Sequence, residues 1–218
     1  PLSNGITGEK ESNMPLSFED MDMGWGTMVY TTTLPEIKAG ATLTGEFHDF
    51  AQVYVNGKYV GKIDRVKNEK SLDLPAAAAG SEMTIVVEGM GRINFGRAIK
   101  DYKGILGNVT ISTADELCDI TLGPKQWNNQ IIPDDYKNAI DALNAPMNRM
   151  AGLKTKAGYY RGYFNISKVG DTFINMEAFG KGQVYVNGHA LGRFWQIGPQ
   201  QTLYLPGCWL KKGKNEVV

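Results

Sequence analysis

Gln52-Val53-Tyr54-Val55-Asn56-Gly57 recurs residue for residue as Gln183-Val184-Tyr185-Val186-Asn187-Gly188. Val53 and Val55, like Val184 and Val186, alternate with polar or aromatic neighbours, which is the period of a half-buried strand. The Asn-Gly pair that follows tolerates the positive φ angles of a tight hairpin turn. Each copy therefore reads as a strand entering a β-hairpin. The same offset of 131 pairs Gly61 with Gly192, Leu72-x-Leu74-Pro75 with Leu203-x-Leu205-Pro206, and Val86-Val87 with Val217-Val218. Residues 42–87 and 173–218 align without a gap, with 13 of 46 positions identical. Upstream the match slips by one residue, setting Tyr30 and Leu34 against Tyr160 and Phe164. So long a period means one domain present twice in tandem, not a solenoid.

Working outward, Leu72-Asp73-Leu74 and Leu203-Tyr204-Leu205 are short strands stopped by proline, which cannot donate to a ladder. Met83–Glu88 and Asn108–Ser112 add further strands to the first copy. Many short strands at this spacing predict sandwiches of two antiparallel sheets. The expected division is a linker at 1–14, a first β-sandwich at 15–113, a connecting segment at 114–158 and a second β-sandwich at 159–218. Within the connecting segment, Asp134–Leu143 carries Tyr136, Ile140 and Leu143 at near-helical spacing and Pro146 ends it, predicting a short helix. Met147–Lys156 reads as loop. Glu216-Val217-Val218 alternates like a strand just begun, so the second sandwich is expected to be truncated at its C-terminal end. The chain is read as a piece of a longer protein.

The 218 residues carry 23 Lys+Arg against 23 Asp+Glu. A formal charge of zero gives no support for nucleic-acid or anionic-membrane binding. No apolar run approaches the roughly 18 residues of a transmembrane helix. Cys118 and Cys208 are too few for a disulfide framework and lack metal-ligand spacing, so they either pair or stay as free thiols. His48 and His189 are not repeat-equivalent and stand apart from any Ser, Cys or carboxylate at useful spacing, suggesting neither a triad nor a metal site. Glu19-Asp20-Met21-Asp22 lacks the glycine and closing glutamate of a calcium loop. Trp25, with Met23, Met28 and Tyr30, is expected in the first core, and Trp127 at a domain seam.

Gly89-Met90-Gly91-Arg92-Ile93-Asn94-Phe95-Gly96 is glycine-rich, but Asn94 occupies the position where a dinucleotide fingerprint needs glycine, so that function is excluded. Followed by Asp101-Tyr102-Lys103-Gly104-Ile105, it resembles the first C-terminal β domain of family 35 β-galactosidases. Gly182–Gly198, with Leu191-Gly192-Arg193-Phe194-Trp195 and then Gly198-Pro199-Gln200-Gln201-Thr202-Leu203, is similar to the second. The resemblance covers nearly the whole chain from about Pro15. It implies an all-β fold of two jelly-roll, galactose-binding-like sandwiches that follow a TIM barrel in the parent protein. It further implies that the parent is a retaining glycosidase removing terminal β-linked galactose without a cofactor, in a secreted, periplasmic or lysosomal setting. The family's two catalytic glutamates lie on the barrel and map onto no position here. Glu46 and Glu177, repeat-equivalent and in different domains, read as solvated strand positions.

Two sets of residues remain as candidates. Arg92, Asn94, Phe95, Arg97 and Tyr102 either border the parent's sugar cleft or clamp the domain to the barrel, with Arg92 reaching a barrel carboxylate or carbonyl. Phe194, Trp195 and Trp209 form either a sugar platform or part of the sandwich core. No catalytic residue, metal ligand or cofactor site is expected. The partners implied are the barrel of the same chain and, through it, a galactoside. The function expected is buttressing of that barrel; the alternative is a carbohydrate-binding module for galactose-containing glycans.

Overall fold

The structure is a computed structural model describing residues 2–97, 99–113, 116–121, 126–146 and 157–218. Its elements in chain order are β1 (Gly8–Ser12), β2 (Gly26–Thr33), β3 (Ala41–His48), β4 (Phe50–Val55), β5 (Lys58–Asp64), β6 (Ser71–Leu74), β7 (Glu82–Gly89), β8 (Gly104–Ser112), β9 (Leu117–Asp119), β10 (Trp127–Ile132), α1 (Tyr136–Asn144), β11 (Gly162–Ile166), β12 (Thr172–Asn175), β13 (Lys181–Val186), β14 (His189–Trp195), β15 (Thr202–Leu205) and β16 (Gly213–Val217). Ile6–Pro133 form one compact unit. Residues 2–5 form a second with the described residues of Asp134–Asn148 and Ala157–Val218.

The first unit is a sandwich of a six-stranded sheet, β1-β10-β2-β7-β4-β5, and a four-stranded sheet, β6-β3-β8-β9. Between them lie Phe18, Met28, Tyr30, Leu43, Ile63, Ile85, Ile105 and Trp127, all essentially inaccessible. The two polar aromatic tips are satisfied, as burial requires. Tyr30 Oη donates to Leu16 O (2.7 Å) and accepts from Ile105 N (3.2 Å), while Trp127 Nε1 donates to Thr121 O (3.0 Å). Gly104 sits at φ +101°, and a Cβ there would stand 2.4 Å from Tyr30 Oη, so this position admits only glycine.

The second unit repeats six strands of the first, β2 to β7. Its sheet β11-β16-β13-β14 matches β2-β7-β4-β5, and its pair β12-β15 matches β3-β6. The hairpin turns have positive φ at both central residues, 47° and 71° at Asn56-Gly57 and 48° and 87° at Asn187-Gly188, as a type I′ turn demands. Even the register shift recurs, between Val53 and Tyr54 and between Val184 and Tyr185. The first copy carries strands at two sheet edges that the described residues of the second lack, β10 and β1 beside β2 and β8 and β9 beside β3. In the first, β3 pairs with β6 on one side and β8 on the other. Among the described residues of the second, β12 pairs with β15 alone. The second core is accordingly smaller: Val184, Val186, Phe194, Leu203, Leu205, Leu210 and Met176.

The helix forms where the sequence places it. Asp135 caps α1, its side chain accepting from Asn138 N (2.7 Å). Asn138 Nδ2 in turn donates to Gly5 O (3.0 Å), and Tyr136 Oη donates to Glu216 Oε2 (2.6 Å).

Several expectations need correction. Residues 8–12, expected as linker, form β1 along β10; the strand Gly-Glu-Lys-Glu-Ser is mostly exposed and has no apolar alternation to announce it. β9 and β10, expected in a connecting segment, belong to the first sandwich. Trp127 fills that core instead of plugging a seam, and Trp25 is 65% exposed instead of buried. Of the two states left open for Cys118 and Cys208, the free thiol holds for both, with no correction needed. The loop expected at Met147–Lys156 lies outside the described residues.

Candidate functional site

Four charged side chains from distant parts of the first sandwich meet beneath the segment 90–103. Asp49 stands in the corner between β3 and β4, Arg65 just after β5, and Asp101 and Lys103 on the approach to β8. Lys103, 1% exposed, donates from Nζ to Asp49 Oδ2 (2.7 Å), Asp101 Oδ2 (2.8 Å) and Gly91 O (3.1 Å). Arg65 Nη1 bridges the other two oxygens, Asp49 Oδ1 at 2.7 Å and Asp101 Oδ1 at 2.8 Å. Backbone donors finish the arrangement: Met90 N reaches Asp49 Oδ2 (2.6 Å) and Ile93 N reaches Asp101 Oδ2 (3.1 Å). His48 Nδ1 donates to Tyr102 O (2.8 Å), and its Nε2 lies 3.0 Å from Glu46 Oε1.

The electrostatics follow from this geometry. Burial acts to raise both carboxyls, but hydrogen bonds from Lys103 and Arg65, with the backbone donors, outweigh it and hold Asp49 and Asp101 below the ordinary range. Two ionised, inaccessible carboxylates saturated by two cations can neither give a proton to a glycosidic oxygen nor reach a sugar carbon. A retaining glycosidase needs one protonated and one nucleophilic carboxyl facing the substrate. Glu46 and Glu177 are exposed and offer no such pair. Among the described residues no group of His, Cys, Asp or Glu is arranged to hold a metal.

The ionic cluster ties together the two ends of the loop above it, Met90 to Ile93 and Asp101 to Lys103. Arg92 is spent inside its own domain: Nε and Nη2 donate to Gly24 O (3.2 and 2.9 Å), while Nη1 donates to Asp101 O (2.9 Å) and pairs with Glu19. Four of its five N–H donors are thus engaged within the first sandwich. Beyond Arg92 the side chains turn out to solvent. Phe95 is 89% exposed, Ile93, Ile99 and Tyr102 are also exposed, and Asn94 and Arg97 stand among them. Of the five residues singled out in this stretch, Arg92 is hydrogen-bonded within the first sandwich, while Asn94, Phe95, Arg97 and Tyr102 are presented on the surface.

The three aromatics of the second sandwich do not form one platform. Phe194 is buried in the core, edge-on to Phe179 (centroids 6.4 Å). Trp195, next along β14, alternates outward and carries Lys181 Nζ 4.8 Å from its ring centroid. Trp209 stacks on His189 at 4.7 Å, with 8° between the planes.

The sequence reading missed Asp49, Arg65 and the buried role of Lys103. Positions 49, 65, 101 and 103 are too far apart to look like a motif. Only the charged Asp101 and Lys103 flanking Tyr102 just ahead of a core strand hint at it.

Such an arrangement defines a β-sandwich protein that presents exposed apolar side chains on one loop of its first sandwich. Residues 15–122 match the family described as "Beta-galactosidase, first all-beta domain", and residues 157–215 that described as "Beta-galactosidase, galactose-binding domain". The chain belongs to the β-galactosidase family, of which it carries these two β domains. Among its relatives, Beta-galactosidase of Bos taurus is 34% identical over 92% of this chain, and Beta-galactosidase-1-like protein 2 of Homo sapiens 32% identical over 95%. Beta-galactosidase 1 of Dictyostelium discoideum is 26% identical over all of it. The chain spans about a third of the length of each.

Proposed function

We propose that this chain is the non-catalytic β portion of a β-galactosidase, and that its first sandwich buttresses the catalytic barrel through the loop at residues 91–102. The observation that carries this reading is Phe95. A nearly bare phenyl ring flanked by Ile93, Ile99 and Tyr102 costs solubility. Three buried charges, Asp49, Asp101 and Lys103, and the partly exposed Arg65 nonetheless tie the two ends of the loop together below it. A surface of that kind serves a fixed contact with another part of the protein. Asn94 and Arg97, on the same loop, would border the substrate approach, and the galactoside would be bound and cleaved by the barrel. Hydrolysis then proceeds by the double displacement of the retaining family, with neither carboxylate supplied from here.

The test has two arms. The 218-residue chain, given a chromogenic β-galactoside, should show no turnover. In the full-length protein, Phe95→Asp should lower the melting temperature while leaving kcat within about threefold. Turnover by the isolated chain, or a full-length Phe95→Asp protein as stable as its parent, would overturn the reading.

A second reading is a carbohydrate-binding role for the second sandwich. It is favoured by the match of residues 157–215 to a family described as galactose-binding and by exposed aromatic rings in that unit.

A further inference from the structure

The two copies share a backbone, so positions where one carries outward side chains that the other lacks are not explained by the fold. The clearest such position is the outer face of the β12–β15 pair. Phe173 stands directly opposite Tyr204 in the register, their rings edge-on with centroids 5.6 Å apart. The residues at the same places in the first copy, 131 earlier, are Thr42 and Asp73, which also face each other and hydrogen-bond (3.1 Å). A polar cross-strand pair is thus replaced by two aromatics. Neither is core: Phe173 is 65% exposed and Tyr204 51%, while Leu203 and Leu205 on the alternate face are buried.

Polar groups accompany the rings. Asn175 and Thr202 are the next outward pair in the same register, both partly or fully exposed. Asn175 Oδ1 accepts from Glu177 N (2.8 Å), leaving its amide group as a donor. Asn175, Glu177 and Ala178 line an open pocket of about 480 Å³ at the end of β12. A hydrogen bond from Tyr204 to Asp171 holds the phenol ring in place.

We propose that this face is a binding site for a β-galactopyranoside, whose apolar ring face packs on Phe173 and Tyr204 and whose hydroxyls meet Asn175, Thr202 and Glu177. The proposal rests on the carbohydrate-binding reading of the second sandwich and moves its site away from Trp195 and Trp209. The area decides for a sugar over a protein partner. At about 200 Å² per aromatic side chain, the two rings expose roughly 230 Å², well short of the roughly 800 Å² a side of a stable protein interface. That is the scale of one or two pyranose rings. Apolar rings beside a few directed polar groups are the lining such ligands use.

The experiment is a titration of the ¹⁵N-labelled 218-residue chain with methyl β-galactopyranoside and with a β-galactobiose, to about 50 mM, with glucose analogues as control. Shifts should concentrate at Phe173, Asn175, Thr202 and Tyr204. The double variant Phe173→Thr/Tyr204→Asp installs the residues of the first copy, where the same strand pair forms, so it should fold with an unchanged far-field spectrum. It should weaken binding about tenfold or more. Trp195→Ala should bind as the parent does. Shifts centred on Trp195 or Trp209, or binding by the double variant within twofold of the parent, overturn this site while sparing a carbohydrate-binding role. No shift anywhere at the highest sugar concentration overturns both.

Discussion

Replacing Lys103 by methionine keeps the length of the side chain and removes only its charge and its donors. The ammonium is 1% exposed and makes three contacts between 2.7 and 3.1 Å. Without it, two buried carboxylates share the single guanidinium of Arg65. Removing one partner of a buried ionic group costs about 3–5 kcal/mol, because the remaining charges lie uncompensated in a poor solvent. Spread over a unit of this size, that lowers the melting temperature by about 10 °C or more. Equilibrium unfolding in urea at pH 7, followed by the near-UV signal of buried Trp127, measures the loss. The pH dependence separates charge from packing. In Lys103→Met, mild acid should return a proton to one carboxyl and shrink the difference from the parent, which a simple cavity would not do. A loss under about 1 kcal/mol, or one that is the same at pH 7 and pH 4.5, would refute the reasoning.

Other consequences are as direct. Asp49 and Asp101 are held below their ordinary values in the folded state, so their stabilisation is complete above the unfolded carboxyl value of about 3.9. It fades as pH falls through that value toward the folded one. The parent's stability should thus drop steeply below about pH 4, and Asp101→Asn should flatten that slope in acid titrations followed by circular dichroism. Arg92→Ala removes a half-exposed tie of four hydrogen bonds and should cost about 1–2 kcal/mol after allowance for solvent. In the full-length protein it should leave kcat close to the parent's. Gly5→Ala would place a methyl 1.9 Å from Tyr159 Oη and should destabilise the second unit by about 1–3 kcal/mol. Combining it with Tyr159→Phe should recover part of that loss in calorimetry.

The fold was legible because its signals are local. A period-2 run ending in Asn-Gly specifies strand and turn within six residues, and its recurrence at 183–188 carries the topology from one copy to the other. The strands the sequence hid are those without apolar alternation: Gly8–Ser12 is held by ladder bonds to β10 and buries little. Trp25 and Trp127 were misplaced for a related reason, since a large aromatic says that burial is favourable without saying where. The candidate loop was visible as a glycine-rich stretch, but its foundation was not. Asp49, Arg65, Asp101 and Lys103 become a unit only when β4, β5, β7 and β8 bring their ends together. Likewise Phe194 and Trp195, adjacent in sequence, part company through strand alternation, one into the core and one outward. Phe173 and Tyr204 escaped notice because each is a single aromatic in a short strand, and only the register sets them face to face.

A loop that serves as a contact surface for the rest of the parent protein is shielded from solvent when that protein is whole. Hydrogen exchange, compared at matched pH between the 218-residue chain and the full-length protein, measures that shielding without any substitution. The amides of Ile93, Phe95 and Ile99 should exchange about tenfold or more slowly in the longer protein, while those of core strand β7 change little. Equal exchange at those three amides in both proteins would contradict the account.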